Sequence, residues 1–522
     1  MRRIGIDVGG TNTDGVLVEN ASVIAAVKVP TTSDVSAGIV RALRELIAAV
    51  TSVGSIDAVM IGTTHFTNAV VERRDLAPVA AIRIGLPASA SLPPFCDWPE
   101  DLAERVRGAV YMIAGGHEYD GRPIVPFDVD AMRRAARDVR ARGFSSVGIT
   151  SVFSPLTDEC ERAASEILLD VCPDVDVTRS HDLGRIGLLE RENATLLNAC
   201  LIDLARRTTR AFSAALDASG IARPLYLTQN DGTVMRADFA EAFPVFSFAS
   251  GPTNSMRGAA FLSRLTDAMV VDVGGTTTDI GRLVRGFPAE ANTVVRIGGV
   301  RTLFRMPDLL SIGLGGGSVV DAVAQTVGPR SVAHRITLDA RVFGGDVLTA
   351  TDVAVAAGLT DIGDRNRVAG LDRSLVETAV ARIRETLELN VDRMKTDRAP
   401  VPLIRVGGAA FLVPDALPGI SEVIDVPHRA VANAIGAAIA QVSGEVDQIF
   451  SGCGRDAAIE RATALARQRA VAAGADESTL TVIDVEDLPI AYLPGDARRV
   501  RVRVVGDTRP SEQRLTTATK SG

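Results

Sequence analysis

The residues best equipped for chemistry in this 522-residue chain come as a repeated block. Asp7-Val8-Gly9-Gly10-Thr11-Asn12-Thr13-Asp14 returns as Asp272-Val273-Gly274-Gly275-Thr276-Thr277-Thr278-Asp279, with seven of the eight positions identical. Short apolar runs flank each copy (4–6 and 16–18; 268–271 and 280–284), a pattern that reads as strand, tight turn, strand. Paired glycines without a Cβ let backbone N–H groups turn toward an anion, and threonine hydroxyls add donors. The leading aspartate offers hard oxygens to a divalent cation held over phosphates. One such turn would be ordinary hairpin chemistry; the same octet twice predicts a phosphate clamp. On this reading Gly9, Gly10, Thr11, Asn12, Thr13, Gly274, Gly275, Thr276, Thr277 and Thr278 contact phosphate. Asp7 and Asp272 hold Mg²⁺ or Mn²⁺, directly or through water. Asp14 and Asp279 either orient a nucleophile or close the hairpins by bonding backbone amides.

Other candidates lie outside the repeat. Gly313-Leu314-Gly315-Gly316-Gly317-Ser318 opens onto an expected helix over 319–326, whose first amides would favour an anion; the alternative is a plain turn before that helix. Thr63, Thr64 and His65 stand at the start of another expected helix, with Asn68 and Glu72 one and two turns on, so one polar face could look into a cleft. His65 is an acid or base near neutral pH, or else a satisfied structural histidine. Asn230 and Asp231 follow a strand pattern at 225–228. Loops at the carboxyl ends of strands carry substrate groups in α/β sheets, and a bland turn accounts for them nearly as well.

The composition bounds what these residues can serve. The chain is 46% hydrophobic and 23% charged, with 56 Lys+Arg against 64 Asp+Glu and a net charge of −8. Scattered basic residues in an acidic chain leave no footprint for nucleic acid or anionic membrane. Cys96, Cys160, Cys172, Cys200 and Cys453 form no CxxC pair, which predicts reduced thiols and a cytoplasmic protein. The five histidines show no metal-binding spacing. No apolar run reaches the length of a membrane span, and Met1-Arg2-Arg3 leads straight into a strand pattern, so neither anchor nor leader is expected. With aromatics at 4%, a bound adenine is expected on aliphatic and backbone surfaces.

Strand-like and helical stretches alternate, as in α/β domains. Amphipathic helices are expected over 36–49, 129–142, 158–172, 193–218, 374–394, 430–442 and 456–473. Strands are expected over 58–61, 147–151, 225–228 and 403–406. The Pro-rich stretch 86–126, with the single Trp98, breaks the pattern and reads as an insertion or subdomain. This divides the chain into 1–185, 186–477, a strand-rich closing element over 478–506 and a flexible tail over 507–522.

Two glycine hairpins half a chain apart resemble the phosphate loops of the actin-like ATPase superfamily. That resemblance implies an α/β fold of two related (ribonuclease H-like) domains around an ATP cleft. It also implies a third glycine turn beside the adenosine, a place that Gly407 and Gly408 fit after the strand over 403–406. Further blocks narrow the branch: Gly62-Thr63-Thr64-His65-Phe66-Thr67-Asn68-Ala69, GLLERENATLLN from Gly187, TQNDGTVM from Thr228, Ser250-Gly251-Pro252, and MPDLLSIGLGGGS from Met306. In this order they resemble the hydantoinase A and 5-oxoprolinase family. Ile61 stands where many members carry a histidine before Gly-Thr-Thr. The resemblance implies ATP-dependent opening of a cyclic amide such as a hydantoin, oxoproline or lactam, working as an oligomer with a second, B-type subunit encoded nearby. It implies substrate contacts from Thr63, Thr64, Asn68, Glu192, Asn230 and Asp231, and adds Gly315, Gly316 and Gly317 to the nucleotide loops. Bicarbonate activation by a carboxylase subunit, a sugar kinase and a non-enzymatic actin- or chaperone-like switch are the alternatives.

Overall fold

A computed structural model describes residues 1–9, 12–31, 35–49, 56–184, 187–291, 295–303, 306–491 and 495–509. Three sheets carry the fold. The largest has nine strands in the order Thr481–Pro489, Arg498–Gly506, Val442–Phe450, Val234–Arg236, Leu225–Thr228, Ala58–Thr63, Arg2–Val8, Asn12–Glu19, Ser22–Pro30. The second sheet is ordered Phe287–Pro288, Thr278–Val284, Ala268–Val273, Val401–Val406, Ile420–Asp425, with Leu309–Ile312 also paired to Thr278–Val284. The third is all parallel, with Arg107–Ala114, Val79–Leu86, Ser146–Ser151 and Asp176–Arg179.

Each of the seven expected helices appears, within a few residues at either end for six of them: Val35–Ala48, Val129–Ala141, Glu159–Val171, Leu188–Ala218, Arg373–Met394 and Arg455–Ala472. The seventh is shorter, Ala432–Ile439, because Val442 already belongs to a strand. The expected helix over 319–326 is instead a strand pair, Ser318–Asp321 and Thr326–Ser331. Val319, Val320, Thr326 and Val327 are β-branched and favour strand. Between them the Asp321 carboxylate accepts the N–H groups of Val323 and Ala324, both at 2.9 Å, which makes a turn.

Sheet hydrogen bonding does not follow the division at 185. The strands over 442–506 complete the sheet that begins the chain, so the first body is discontinuous in sequence. Within the stretch 86–126, Arg107–Ala114 is an edge strand of the parallel sheet. Trp98 is buried and donates its ring N–H to Asn193 Oδ1 at 2.7 Å. At the start of the expected tail, Thr508 is buried and Arg509 N–H donates to the Gly474 carbonyl at 2.9 Å; 510–522 lie outside the described residues.

Between the first two sheets, helices Ser250–Ser263 and Ala432–Ile439 cross in very close contact. A Cβ on Gly258 would lie 1.9 Å from the Ala432 carbonyl oxygen, and one on Gly436 would lie 1.8 Å from that of Asn254. Only glycine permits that approach, and the crossing carries side chains from both helices to the ends of the two repeated hairpins.

Candidate functional site

The repeat is structural down to its hydrogen bonds. In the first hairpin Asp7 pairs in register with Asp14, and Gly9 N–H donates to the Asn12 carbonyl at 3.0 Å. In the second, Asp272 pairs with Asp279, and Gly274 N–H donates to the Thr277 carbonyl at 2.9 Å. Each leading aspartate also has a glycine beside it, Gly62 on the neighbouring parallel strand and Gly407 just past the end of the strand Val401–Val406. A Cβ on Gly62 would stand 2.4 Å from Asp7 Oδ1, and one on Gly407 would stand 2.3 Å from Asp272 Oδ1. The hairpins belong to different sheets and face each other across a cleft of about 450 Å³.

Four aspartates on the cleft wall set its electrostatics. Burial pushes the Asp7 carboxyl up to about 6, helped by the neighbouring Asp14, against the opposing pull of hydrogen bonds from Asn254 and Asn433. Asn254 Nδ2 donates to Asp7 Oδ1 at 3.3 Å and Asn433 Nδ2 to Oδ2 at 2.9 Å. Burial also pushes Asp279 up to about 6, with a Ser311 hydrogen bond opposing. Asp272 is raised by burial and held by the Ser255 hydroxyl. Asp14 is raised by burial too, although Lys28 Nζ lies 2.6 Å from its Oδ1. Burial and mutual repulsion thus oppose four negative charges in one cleft, a condition that a cation relieves. Among the described residues no three His, Cys, Asp or Glu side chains gather as a ready metal cage. The site therefore suits a hard cation that takes one or two carboxylates and completes its shell with ligand oxygens and water.

Family models for the hydantoinase/oxoprolinase N-terminal region and for hydantoinase/oxoprolinase match residues 3–172 and 191–364. The chain belongs to the hydantoinase/oxoprolinase family. It is 25% identical over 437 residues to the caprolactamase alpha subunit of Pseudomonas jessenii, a match covering 75% of this chain and 60% of that protein. An uncharacterized protein of Methanocaldococcus jannaschii is 25% identical over 423 residues, covering 75% and 62%. The acetophenone carboxylase gamma subunit of Aromatoleum aromaticum is 27% identical over 392 residues, covering 68% and 53%. The matches thus span little more than half to three fifths of these relatives' own length. Among solved structures, the ATP-dependent caprolactamase of Pseudomonas jessenii aligns over 97% of this chain and 88% of its own, with a TM-score of 0.76 at 18% identity. Nucleotide-free acetone carboxylase aligns over the same shares at a TM-score of 0.69. The fold is the mixed α/β fold of those two structures.

Within this hydantoinase/oxoprolinase fold the expected site residues divide in two. Asp7, Gly9, Asn12 and Asp14 line the cleft from the first hairpin. Asp272, Gly274, Gly275, Thr276, Thr277 and Asp279 line it from the second. Gly407, Gly408, Thr64 and Asn68 complete the group. Gly10 and Thr11 lie outside the described residues.

The others serve structure instead. The seventh residue of each octet already belongs to the second strand and points inward: Thr13 is buried with its hydroxyl 3.2 Å from that of Thr31, and Thr278 donates to the Leu314 carbonyl at 2.6 Å. Gly315, Gly316 and Gly317 lie under the second hairpin rather than on the cleft wall. Gly316 and Gly317 donate to the Gly274 and Gly275 carbonyls at 3.0 and 2.7 Å, and a Cβ on Gly315 would come within 2.6 Å of Thr276 N. Thr63 is buried and accepts the His65 N–H at 3.2 Å. His65 is absent from the cleft wall, and burial holds its imidazole below the usual range, among the charges of Asp75, Arg207 and Arg74. Glu192 is buried against Arg83 in a two-pronged pair whose Nε–Oε1 bond is 2.6 Å. Asn230 donates to the Val245 carbonyl at 3.1 Å and accepts the Ala249 N–H at 2.8 Å, holding the chain as it enters helix Ser250–Ser263. Asp231 accepts from Thr233 and pairs with Arg503 at 3.3 Å.

Lys28, Ser255, Arg429 and Asn433 of the cleft wall went unnoticed in the sequence, as did Asn254, buried behind Asp7. Only Ser255 and Asn254 had a signal, their nearness to Ser250-Gly251-Pro252 at the mouth of the same helix.

No helix among the described residues is long and apolar enough to cross a membrane.

Proposed function

We propose that this chain is the ATP-binding subunit of an enzyme that phosphorylates the carbonyl oxygen of a cyclic amide, such as a lactam, hydantoin or oxoproline, so that the ring can be opened by water. The observation that carries the reading is the pair of register-matched hairpins presenting Asp7 and Asp272 across one cleft. A ring amide is a poor electrophile. Its oxygen would attack the γ-phosphorus as the bond to the bridging oxygen of ADP breaks, ADP leaving with the electron pair. Water then adds to the activated carbon, and phosphate and the ring amine leave; one lactam, one ATP and two waters give the amino acid, ADP and phosphate. Such transfer depends on positioning and charge neutralisation more than on covalent help.

The chain's own groups supply that positioning. Backbone N–H groups beyond Gly274 in the second turn would meet phosphate oxygens, with the side chains of Asn12, Thr276 and Thr277 as further donors. Asp7 and Asp272 would hold Mg²⁺, which supplies charge neutralisation on the phosphates when bound. Gly408 has nothing within 4 Å of a would-be Cβ and leaves room for the adenosine. Thr64 and Asn68, which line the same cleft from the N-cap and the first turn of helix His65–Glu72, are polar groups that would be available to an acceptor.

The same first step would activate bicarbonate, and the likeness to carboxylase subunits favours that as the second reading. Those relatives and the caprolactamase are all named as subunits, which supports a companion B-type chain here. The test is ADP release from the chain with and without the adjacent B-type gene product, over a panel of lactams, hydantoins, oxoproline and linear amides, with and without bicarbonate. Stimulation by a cyclic amide without bicarbonate supports ring opening. A strict bicarbonate requirement moves the function to carboxylation, and no stimulation by any substrate refutes both.

A further inference from the structure

The cleft is symmetric in backbone and asymmetric in charge. Asp14 and Asp279 hold equivalent register positions, yet Asp279 faces a serine hydroxyl while Asp14 faces a cation. That cation, Lys28, sits opposite Asp14 in the neighbouring strand Ser22–Pro30. Its side chain is 35% exposed and lines the cleft. Its charge is also felt by Asp272 on the opposite hairpin, where it favours the ionised carboxylate. Arg429, the other cation on the wall, is already bonded to Asp425. Lys28 is thus a compact ammonium on the cleft wall beside the first hairpin, on a flexible stem and with solvent access.

An ammonium held 2.6 Å from Asp14 on the wall of the cleft that both hairpins line is within reach of phosphates bound there. Lys28 comes from the first sheet, whereas Gly408, with its open space, comes from the second. The geometry points to Lys28 as the side chain that binds the terminal phosphoryl oxygens of a nucleoside triphosphate, with Asp14 as the positioning residue that keeps its ammonium in the cleft. This inference rests on the nucleotide reading of the cleft. An ammonium suits the task, since it meets phosphate as a mobile point charge with rotatable donors.

The test is calorimetric binding of a non-hydrolysable ATP analogue and of ADP, each with Mg²⁺, to the full chain. Lys28→Met should weaken the triphosphate analogue tenfold or more and leave ADP within about twofold, while Lys28→Arg should recover part of the loss. Because Lys28→Met strands a buried Asp14, the double variant Lys28→Met/Asp14→Asn provides a version without that unpaired charge, and it should show the same selective loss. Equal loss for both nucleotides, or no loss, in the double variant overturns the assignment. If the unaltered chain binds neither nucleotide, the nucleotide reading itself fails, a result distinct from a Lys28 variant that binds both normally.

Discussion

Asn254 and Ser255 are neighbours on one helix, and they hold the leading carboxylates of two different hairpins, Asn254 that of Asp7 and Ser255 that of Asp272. A single helical turn therefore sets the distance between the two groups assigned to the cation. The hydrogen bonds to Asp7 favour its ionised form against burial. Asn254→Ala should therefore raise the Asp7 pKa further above about 6 and move the acid limb of kcat/KM for ATP turnover to higher pH. Activity lost at pH 7 should return in part near pH 8.5. A uniform drop with an unmoved acid limb would count against this role.

Asp7→Asn and Asp272→Asn each remove a hard anionic ligand while keeping the shape of the side chain. Turnover should fall by a factor on the order of 10³ or more in each, with circular dichroism and melting temperature close to the parent's. Isothermal titration should show that Mg²⁺-dependent nucleotide binding is lost before the fold is. Retained turnover in both variants would remove the cation assignment.

Asp279 allows a test without any ligand. Its folded pKa, about 6, exceeds that of an unfolded aspartate, so the native state binds more protons between those values. The contribution to stability is thus fully present below about pH 4 and is lost as pH rises through 6. Asp279→Asn removes the charge, so it should stabilise the ligand-free protein at pH 7 by on the order of 2 kcal/mol and flatten its melting temperature between pH 4 and 6. The same variant should be deficient in turnover, and chemical denaturation across that pH range separates the two effects.

Gly62 and Gly407 are required by the carboxylates beside them, not by a turn alone. Gly62→Ala would drive a methyl toward Asp7 Oδ1 and Asn254 Nδ2, both 2.4 Å away. Gly407→Ala would meet Asp272 Oδ1 and the Val273 carbonyl, and would add strain at a φ of +93°. Each should cost nucleotide affinity far more than its effect on melting temperature would suggest, because the displaced atom belongs to a carboxylate proposed to hold the cation.

The octet repeat, six helices within a few residues and the strands at 225–228 and 401–406 were legible because their signals are local: periodicity, paired glycines and a leading aspartate. The wall of the cleft was not. Asn433 reaches Asp7 across 426 positions and Asn254 across 247, and nothing near either asparagine in the sequence announces a carboxylate partner. Lys28 was closer to hand, since it follows the hairpin by one strand, but its use depends on the register that sets it opposite Asp14. Local reading also misassigned residues whose polarity serves the interior. Thr13 and Thr278 look like phosphate donors until strand alternation turns them inward, and His65 is absent from the cleft wall.

Glu192 is the sharpest case of this kind, because its block carries the family pattern while its side chain never reaches the cleft. Helix Leu188–Ala218 buries it against Arg83 of strand Val79–Leu86, and Arg83 also donates to the Leu92 carbonyl at 3.0 Å. Both charges are nearly inaccessible, so removing one leaves the other unpaired in a poorly solvated interior, at a cost of about 3–5 kcal/mol. Glu192→Gln should therefore lower the unfolding free energy by roughly that amount, while the KM for any substrate measured on the folded fraction stays within about twofold. A substrate contact would give the opposite pattern, a raised KM at unchanged stability. Replacing Arg83 and Glu192 together by Met and Leu should restore much of the stability, since a buried pair exchanged for apolar groups is often neutral. Failure of that rescue would show that the pair does more than satisfy its own burial.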